Sequence, residues 1–482
     1  MAENSMKDKV VNGLFWKLLE NGGAQGIQFV VAVILARLLT PEEYGTVGII
    51  TIFIIIANVI VQNRFSTALV QKFEADEKDF SSVFYFGLAA ALVMYGVLFL
   101  CAPLIAQFYG DPILCPLVRV LGIVLFPGSV ISVQTAYVSR KMEFKALFKA
   151  TMGAVIISGA GSIWMAVEGM GVWAMAGQQI LYYFALMGGL FLDLTWKPRL
   201  VFSIRRIRSM FRFGWKLLCA ALIDTLFSNL YGLIMGKIYN QAVLGIYNRG
   251  EQFPKLIATN LGAVIQSVLL PAFAKEQDDV NQVRNMARKA IQVSSYTVLP
   301  MLIGMMAVAD TMVLALLGER WLVCVPFLRI MCVAYCFYPI HITNLQAINA
   351  MGRSDIFLKL EVMKKVVGIA GLLIGVQFGA IVMVSIKAFV DFVCIFINAW
   401  PNKKILNYSI GSQWKDMFPS LCLSIAMGLI VYGLGQFIPG AWLRLAVQMA
   451  AGAAVYVALS FVFHIESFTY LVDIVKKRTG RI

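Results

Sequence analysis

The chain of 482 residues is 60% hydrophobic and only 14% charged, with a mean hydropathy of +0.78. Soluble domains average about 45–50% apolar and about 25% charged residues, so this composition excludes an ordinary soluble enzyme or binding domain. The net charge of +15 in so apolar a chain indicates basic cytoplasmic loops rather than nucleic-acid binding.

Apolar runs of membrane-spanning length recur along the whole chain. Each is long enough to cross a hydrocarbon core of ~30 Å as a helix, a form that satisfies its own backbone polar groups in lipid. We therefore predict an all-α polytopic membrane protein with about fourteen transmembrane helices. In chain order the predicted spans are residues 13–39, 44–66, 83–105, 113–138, 148–167, 171–194, 214–239, 254–273, 291–316, 324–350, 361–378, 381–400, 417–437 and 442–464.

The basic residues predict which loops face the cytoplasm. Lys and Arg collect in every second loop between the predicted spans, whereas the opposite loops hold only Arg249 and Arg320. Because positive residues favour cytoplasmic loops, this alternation predicts that both termini are cytoplasmic. Four further basic residues lie at the outer ends of predicted helices and do not reverse the bias: Arg37, Lys237, Lys255 and Arg444.

A short segment near the first predicted span returns later in the chain. Residues 34–45 read ILARLLTPEEYG and residues 234–245 read IMGKIYNQAVLG, each with a small residue before a basic one and a glycine eight positions after it. This collinear order indicates an internal duplication, because three further similarities keep it: the runs at 105–111 and 314–319, the pair Arg119 and Arg329, and an aromatic residue followed by Pro and Gln at 126–134 and 338–346.

The duplication predicts two lobes of six helices each. An even number of spans returns the chain to its starting side, so the lobes are parallel repeats, as in secondary transporters that work by alternating access. A central cleft is expected between the lobes. We predict an N-terminal lobe at residues 1–195, a basic cytoplasmic linker at 196–213, a C-terminal lobe at 214–401, and helices 13 and 14 with a cytoplasmic tail at 402–482.

Four stretches resemble one known family of transporters. They read ILARLLTPEEYG, LGIYNRGEQFPK, LLGERWL and YPIHITNLQAINAMGRSDIFLKLE, and the resemblance spans nearly the whole chain. The chain resembles the Wzx-type oligosaccharide flippases of the multidrug/oligosaccharidyl-lipid/polysaccharide exporter superfamily, in the colanic-acid-exporter-like branch. The resemblance implies a two-lobed helical bundle in a bacterial plasma (inner) membrane. It also implies flipping of undecaprenyl-pyrophosphate-linked oligosaccharides from the cytoplasmic to the outer leaflet.

Polar residues in the helices that begin each lobe are the candidates for a substrate cleft. Polar side chains within a membrane are costly and therefore mark functional sites by default. In the resembled family these helices border the central cavity, which implies that the amides bind sugar hydroxyls and that Arg64 and Lys216 meet the pyrophosphate. The alternative is helix–helix hydrogen bonding by the amides and snorkelling of the two cations to head groups. The candidates are Asn21, Gln25, Gln28, Asn58, Gln62, Arg64, Lys216, Asp224, Asn229 and Asn260.

Other ionisable residues receive separate interpretations. Lys387 and Asp391 lie at i, i+4 in helix 12 and are expected to neutralise one another. Arg119 and Arg329 lie beside outer loops and are expected to be interfacial anchors. Asp310, near the outer end of helix 9, is a candidate for binding a coupling cation. Three residues near Pro339 are candidates for part of a gate: Tyr335, Tyr338 and His341.

The sequence offers little support for catalysis. It has no GxxxxGK[ST] phosphate-binding loop, and its two histidines, His341 and His464, neighbour no cluster of metal-ligand residues. We predict a transporter, not an enzyme, with no cofactor, metal or nucleic-acid partner. Its expected partners are lipid-linked oligosaccharide, bilayer lipids and the polysaccharide polymerase and chain-length machinery. Two alternatives stay open: a cation-coupled multidrug exporter of the same superfamily, and a membrane glycan polymerase.

Overall fold

A computed structural model describes residues 2–62, 69–70 and 75–478. Every regular element in these ranges is helical, which confirms the all-α prediction. Two short 3-10 helices lie at Glu319–Cys324 and Val376–Phe378. The α-helices are α1 (Ala2–Leu38), α2 (Pro41–Gln62), α3 (Glu77–Tyr109), α4 (Leu114–Gly122), α5 (Leu125–Lys141), α6 (Phe144–Val167), α7 (Val172–Asp193), α8 (Ile204–Ile238), α9 (Gln241–Lys275), α10 (Val280–Ala307), α11 (Ala309–Leu316), α12 (Val325–Tyr335), α13 (Tyr338–Ala350), α14 (Ser354–Gly375), α15 (Ala380–Ile405), α16 (Ile410–Gly435), α17 (Ala441–Val462) and α18 (Glu466–Arg478).

Thirteen helical segments in the described chain are long and apolar enough to cross a membrane. Each coincides with a predicted span, so the count of about fourteen is approximately right. The remaining predicted span, 361–378, falls mainly on α14, which is 22 residues long. Charged residues lower the hydropathy of α14, and two of them, Lys364 and Glu361, form an ion pair with each other.

Two predicted spans are broken at points that the repeat pairs with one another. The fourth span divides into α4 and α5 at residues 123–124, just before Pro127. The tenth divides into α12 and α13 at residues 336–337, just before Pro339. Proline lacks the N–H that would continue the helical ladder, and its ring clashes with the preceding turn, so each break follows from its proline. The shared position of the breaks supports the internal duplication.

The predicted loop between the seventh and eighth spans is mostly helical. The sequence predicted the eighth span from residue 254, whereas α9 begins at Gln241 and holds Pro254 within it. Arg249, interpreted as an outer-loop residue, is therefore a helical residue and is only 5% exposed. It donates a hydrogen bond of 2.6 Å to Gln252, and its guanidinium lies 5.6 Å from the ring centroid of Trp321. These contacts explain how a cation is accommodated there.

The chain divides into two compact units, Met1–Gly245 and Ile246–Ile482. In the first unit, part of the core is built around Trp196, which follows α7. Its ring stacks on Tyr137 with centroids 6.1 Å apart, and it also contacts Phe80 and Phe84 of α3. These aromatic contacts fix the end of α7 against α3 and α5. The predicted lobe limits, with the second lobe beginning at residue 214, stay a prediction.

In the second unit, the two helices outside the repeat pack into the bundle. Tyr296 of α10 donates a hydrogen bond of 2.8 Å to Ser460 of α17, and Tyr456 of α17 donates one of 2.9 Å to the backbone oxygen of Tyr296. Arg288 of α10 pairs with Asp416 of α16 at 2.7 Å. Because interhelical hydrogen bonds help to hold membrane helices together, α16 and α17 belong to the structural core of this unit.

The basic linker is attached to the start of α3 in the first unit. Asp76 and Asp79 form a capping box there, and Arg206 contacts both carboxylates. Arg199 pairs with Glu77 at 2.9 Å. Asp79 is fully buried, so its contact with a cation matters more than the exposed pair of Arg199 and Glu77. Within the first unit, the linker is therefore held against the start of α3 by ion pairs.

The Arg206 contact predicts an acid-sensitive part of the stability. Burial raises the pKa of Asp76, but hydrogen bonds from Arg206 and Asp79 outweigh burial and lower this pKa from 3.8 to about 2. A carboxyl whose pKa is lowered on folding stabilises the protein above its unfolded pKa, and this contribution is lost as the pH falls from about 4 to about 2. We expect Arg206→Gln to lower the Tm of the detergent-solubilised protein at about pH 5, and the difference from wild type to shrink towards about pH 2.

The matched control for this prediction is Arg205→Gln, because Arg205 is the exposed neighbour of Arg206. We expect the control to leave the Tm close to that of wild type at every pH. An equal and pH-independent loss of Tm in the two variants would contradict the role assigned to the contact between Arg206 and Asp76.

Candidate substrate-binding site

The candidates of the first predicted helix lie on the surface of α1. Asn21, Gln25 and Gln28 are all exposed. An amide that faces lipid tails is costly, so an exposed stripe of amides within a span favours hydrated or polar surroundings. This exposure is what the predicted cleft requires of the three residues. Their role in binding stays a prediction.

The candidates of α2 are not one exposed stripe. Gln62 is exposed at the end of the helix, whereas Asn58 is buried at 9% exposure. The Oδ1 atom of Asn58 lies 3.0 Å from the place that a Cβ on Gly128 would occupy, so the side chain faces α5 inside the first unit. The glycine at 128 provides the space for this amide. Arg64 lies outside the described residues.

The candidates of α8 and α9 are mostly exposed. Lys216 and Asp224 on α8 and Asn260 on α9 all have exposed side chains. Asn229 is half-buried and donates a hydrogen bond of 2.8 Å to the backbone oxygen of Thr225 in its own helix. That bond satisfies part of the amide locally, which favours the structural interpretation for Asn229. The other three keep the exposure that substrate contact demands.

A cluster of charged residues in the second unit was only partly predicted. Glu251 of α9 forms an ion pair with Lys387 of α15 at 3.4 Å and accepts a hydrogen bond of 3.3 Å from the hydroxyl of Tyr335. Lys255, one turn along α9, lies 3.8 Å from the same carboxylate. Asp391 adds a second carboxylate that interacts electrostatically with Lys387. The predicted pair of Lys387 and Asp391 is thus part of a larger cluster with two acids around one half-buried lysine.

Glu251 was missed because residues 240–253 were interpreted as a loop, where a carboxylate has no special meaning. A signal was present in the sequence. Glu251 and Lys255 lie at i, i+4, a spacing that puts opposite charges on one face of a helix. The partner of Glu251 on α15 is 136 residues away, and no local pattern reveals it.

The candidate gate residue His341 is tied into the bundle. One ring nitrogen contacts the amide of Asn398 at 2.8 Å, and the other contacts the backbone oxygen of Asp391 at 3.1 Å. Both partners lie on α15, so His341 fixes α13 against α15. These two contacts give His341 a structural role between α13 and α15. A role in a gate stays a prediction.

Asp310, Arg119 and Arg329, the candidates near the outer ends of helices, each contact another side chain. Asp310, the candidate for a coupling cation, forms an ion pair with Arg329, one of the two predicted anchors. Arg119, the other predicted anchor, places its guanidinium 4.2 Å from the ring centroid of Phe99. A carboxylate that already faces an arginine is a poor cation site, because the guanidinium repels the cation. The repeat-paired arginines therefore have different partners.

Comparison with known proteins gives the family. A family described as "Polysaccharide biosynthesis protein" matches residues 34–326. The chain belongs to this family. It is 25% identical over 470 residues to the teichuronic acid biosynthesis protein TuaB of Bacillus subtilis, covering 94% of this chain and 96% of that protein. The two chains thus match nearly from end to end, and the resemblance predicted from the sequence is confirmed.

Two further relatives carry names that bear on function. The lipopolysaccharide biosynthesis protein WzxC of Escherichia coli is 25% identical, over 89% of each chain. The succinoglycan biosynthesis transport protein ExoT of Rhizobium meliloti is 22% identical, over 98% of this chain and 97% of that protein. All three relatives are thus named for the biosynthesis or transport of bacterial polysaccharides.

Solved structures show the same fold at low sequence identity. The lipid II flippase MurJ, in an inward closed conformation, aligns with a TM-score of 0.75 at 14% identity, covering 94% of this chain and 99% of MurJ. An inward-facing multidrug resistance transporter of the MATE family aligns with a TM-score of 0.61, also at 14% identity, over 79% of this chain and 94% of its own. The chain therefore has the fold that these two kinds of transporter share.

Proposed function

We propose that this protein moves undecaprenyl-pyrophosphate-linked oligosaccharide units from the cytoplasmic to the outer leaflet of a bacterial plasma membrane. The observation that carries the proposal is the nearly end-to-end similarity to relatives named for polysaccharide biosynthesis, one of them a transport protein. The fold shared with a lipid II flippase supports it, because that protein's name describes the flipping of a lipid. In this proposal the protein does no covalent chemistry.

The exposed polar residues support a hydrated path for the sugar. Asn21, Gln25 and Gln28 on α1 and Asn260 on α9 are amides that lie on membrane-spanning helices and stay exposed. Amides donate and accept hydrogen bonds at once, which suits the hydroxyls of a sugar. In the proposed cycle, the two predicted lobes rock about this path in alternating access.

The membrane potential supplies a driving force for this direction of movement. The carrier pyrophosphate has about two negative charges at neutral pH, and one charge that crosses 100 mV changes the free energy by ~2.3 kcal/mol. Because the cytoplasm is electrically negative, the potential favours outward movement of the anion. Lys216, exposed near the start of the membrane-spanning part of α8, is the described cation that we assign to the pyrophosphate.

This assignment predicts a measurable effect of Lys216. We expect Lys216→Gln to slow flipping about fivefold, because one lysine near an anionic group is worth about 1 kcal/mol. Lys216→Arg keeps the charge and should retain most of the rate. The matched control is Lys415→Gln, which removes an exposed lysine on α16. Equal flipping rates for Lys216→Gln and Lys415→Gln would contradict the assignment to the pyrophosphate. Lys216 would then be a cation that only snorkels to the lipid head groups.

Deletion of the gene tests the proposed function in the cell. We expect the surface polysaccharide to be lost and the lipid-linked oligosaccharide to accumulate on the cytoplasmic side, with both restored by the wild-type chain. The MATE-like fold makes a multidrug exporter the second candidate. A normal surface polysaccharide combined with lost dye efflux would contradict the flippase and support the exporter.

We also propose that polysaccharide polymerase and chain-length proteins are partners that act on the oligosaccharide after it has been flipped.

A further inference from the structure

A surface cavity of about 310 Å³ lies in the second unit where α10 meets α18. It has no part in the proposed path of the sugar. α18 follows the last spanning helix and is only 13 residues long, with apolar residues at 468, 471, 472, 474 and 475 and charged residues at 466, 473 and 476–478. Amphipathic helices of this kind typically lie along the membrane surface, where lipid head groups are found. The walls of the cavity are Asn285, Met286, Arg288, Lys289, Gln292 and Glu466.

The two cations of the cavity are held in place by neighbours. Arg288 donates through Nε to Asp416 at 2.7 Å, and Asp416 in turn accepts from the hydroxyl of Tyr408 at 2.8 Å. A bond through Nε does not use the two Nη groups of the guanidinium, which remain suitable for an anion. The ammonium of Lys289 lies 4.6 Å from the ring centroid of Tyr470 on α18. Both positive groups are therefore positioned before any ligand arrives.

The charges of the cavity are of both signs and come from different helices. Arg288 and Lys289 belong to α10, whereas Glu466 belongs to α18. Glu466 disfavours a simple anion, and the two cations disfavour a simple cation. A ligand that joins a phosphate to a primary ammonium satisfies both sides. We propose that this cavity binds the phosphoethanolamine head group of a phospholipid, with the phosphate at Arg288 and Lys289 and the ammonium at Glu466.

Lipid competition on the purified full-length protein tests the proposal. Native mass spectrometry is used with equal amounts of phosphatidylethanolamine, phosphatidylcholine and phosphatidylglycerol. Only the first has both a phosphate and N–H donors for Glu466, so we expect it to be enriched at least about threefold over either other lipid. Glu466→Gln should abolish this enrichment while phosphatidylglycerol binding is kept. Lys289→Gln should weaken binding of all three lipids.

The matched control is Asp473→Asn, which removes a carboxylate from the same helix outside the cavity. We expect it to keep the preference for phosphatidylethanolamine, and soluble phosphoethanolamine to displace that lipid better than inorganic phosphate does. Three results would overturn the proposal: no preference in the wild type, an equal loss of preference in Asp473→Asn, or displacement by inorganic phosphate as effective as by phosphoethanolamine. Gel filtration and Tm confirm that each variant is folded.

Discussion

Alanine at Gly45 or at Gly245 is expected to destabilise the protein by about 1–3 kcal/mol and to stop transport, because each position lacks room for a single methyl group. Within the first unit, a Cβ on Gly45 would lie 1.6 Å from the backbone oxygen of Gln241. A Cβ on Gly245 would lie 1.9 Å from the backbone oxygen of Pro41. The obstacles are backbone atoms, which no change of side-chain rotamer can remove. The starts of α2 and α9 must therefore move apart in either variant.

The double variant gives the sharper result. The two methyl groups force the same separation of α2 and α9, so we expect Gly45→Ala with Gly245→Ala to cost clearly less than the sum of the two single variants. Gly96→Ala is the matched control, since α3 offers open space around that position. It should leave Tm and transport close to wild type. Additive losses, or a wild-type Tm in either single variant, would contradict the close contact.

The half-buried Lys387 of the second unit provides the other large effect. Lys387 and Glu251 are 20% and 15% exposed in their side chains, and Asp391 also interacts with Lys387. We expect Lys387→Met to destabilise the protein by about 3 kcal/mol, because it leaves two carboxylates without their central cation. Glu251→Gln should cost about half as much, since Asp391 still balances Lys387. The measurement is Tm together with the unfolding midpoint in denaturing detergent.

A double variant separates the ion pair from simple packing. Glu251→Gln combined with Lys387→Met removes the main pair together, so we expect it to be more stable than Lys387→Met alone. Lys359→Met, at an exposed position of α14, is the control for removal of a lysine and should change Tm little. If Glu251→Gln were more destabilising than Lys387→Met, the assignment of Lys387 as the centre of the cluster would be wrong.

The fold could be predicted because lipid constrains it strongly. A long apolar segment in a bilayer has few alternatives to a helix. The alternation of basic loops checks the number of predicted helices, because one missed helix would reverse the alternation after it. The beginnings of helices were less predictable. α9 starts at Gln241 with several polar residues in its first turns, a composition that also suits a loop. The repeated glycine was visible at 45 and 245, but the sequence does not show that the two copies meet.

For the candidate site, the sequence could identify polar residues within the spans but not their partners in other helices. The spacing of Asn21, Gln25 and Gln28 puts them on one helix face, which the sequence shows, whereas their exposure comes from the structure. The burial of Asn58 depends on the missing side chain of Gly128 in another helix, and that relation is not local. The same holds for Glu251, whose ion pair joins α9 to α15. Tertiary partners of polar residues decide between substrate contact and structural pairing, and hydropathy does not encode them.

The most direct measurement of the proposed function uses vesicles that contain the purified protein and a fluorescent undecaprenyl-pyrophosphate-linked oligosaccharide. A membrane-impermeant quencher reports how much of the probe changes leaflet. We predict movement faster than in protein-free vesicles, faster again when an imposed potential draws the anion across, and slowed by Lys216→Gln. Vesicles that expel a cationic dye yet flip the lipid-linked probe no faster than protein-free vesicles would contradict the proposed function.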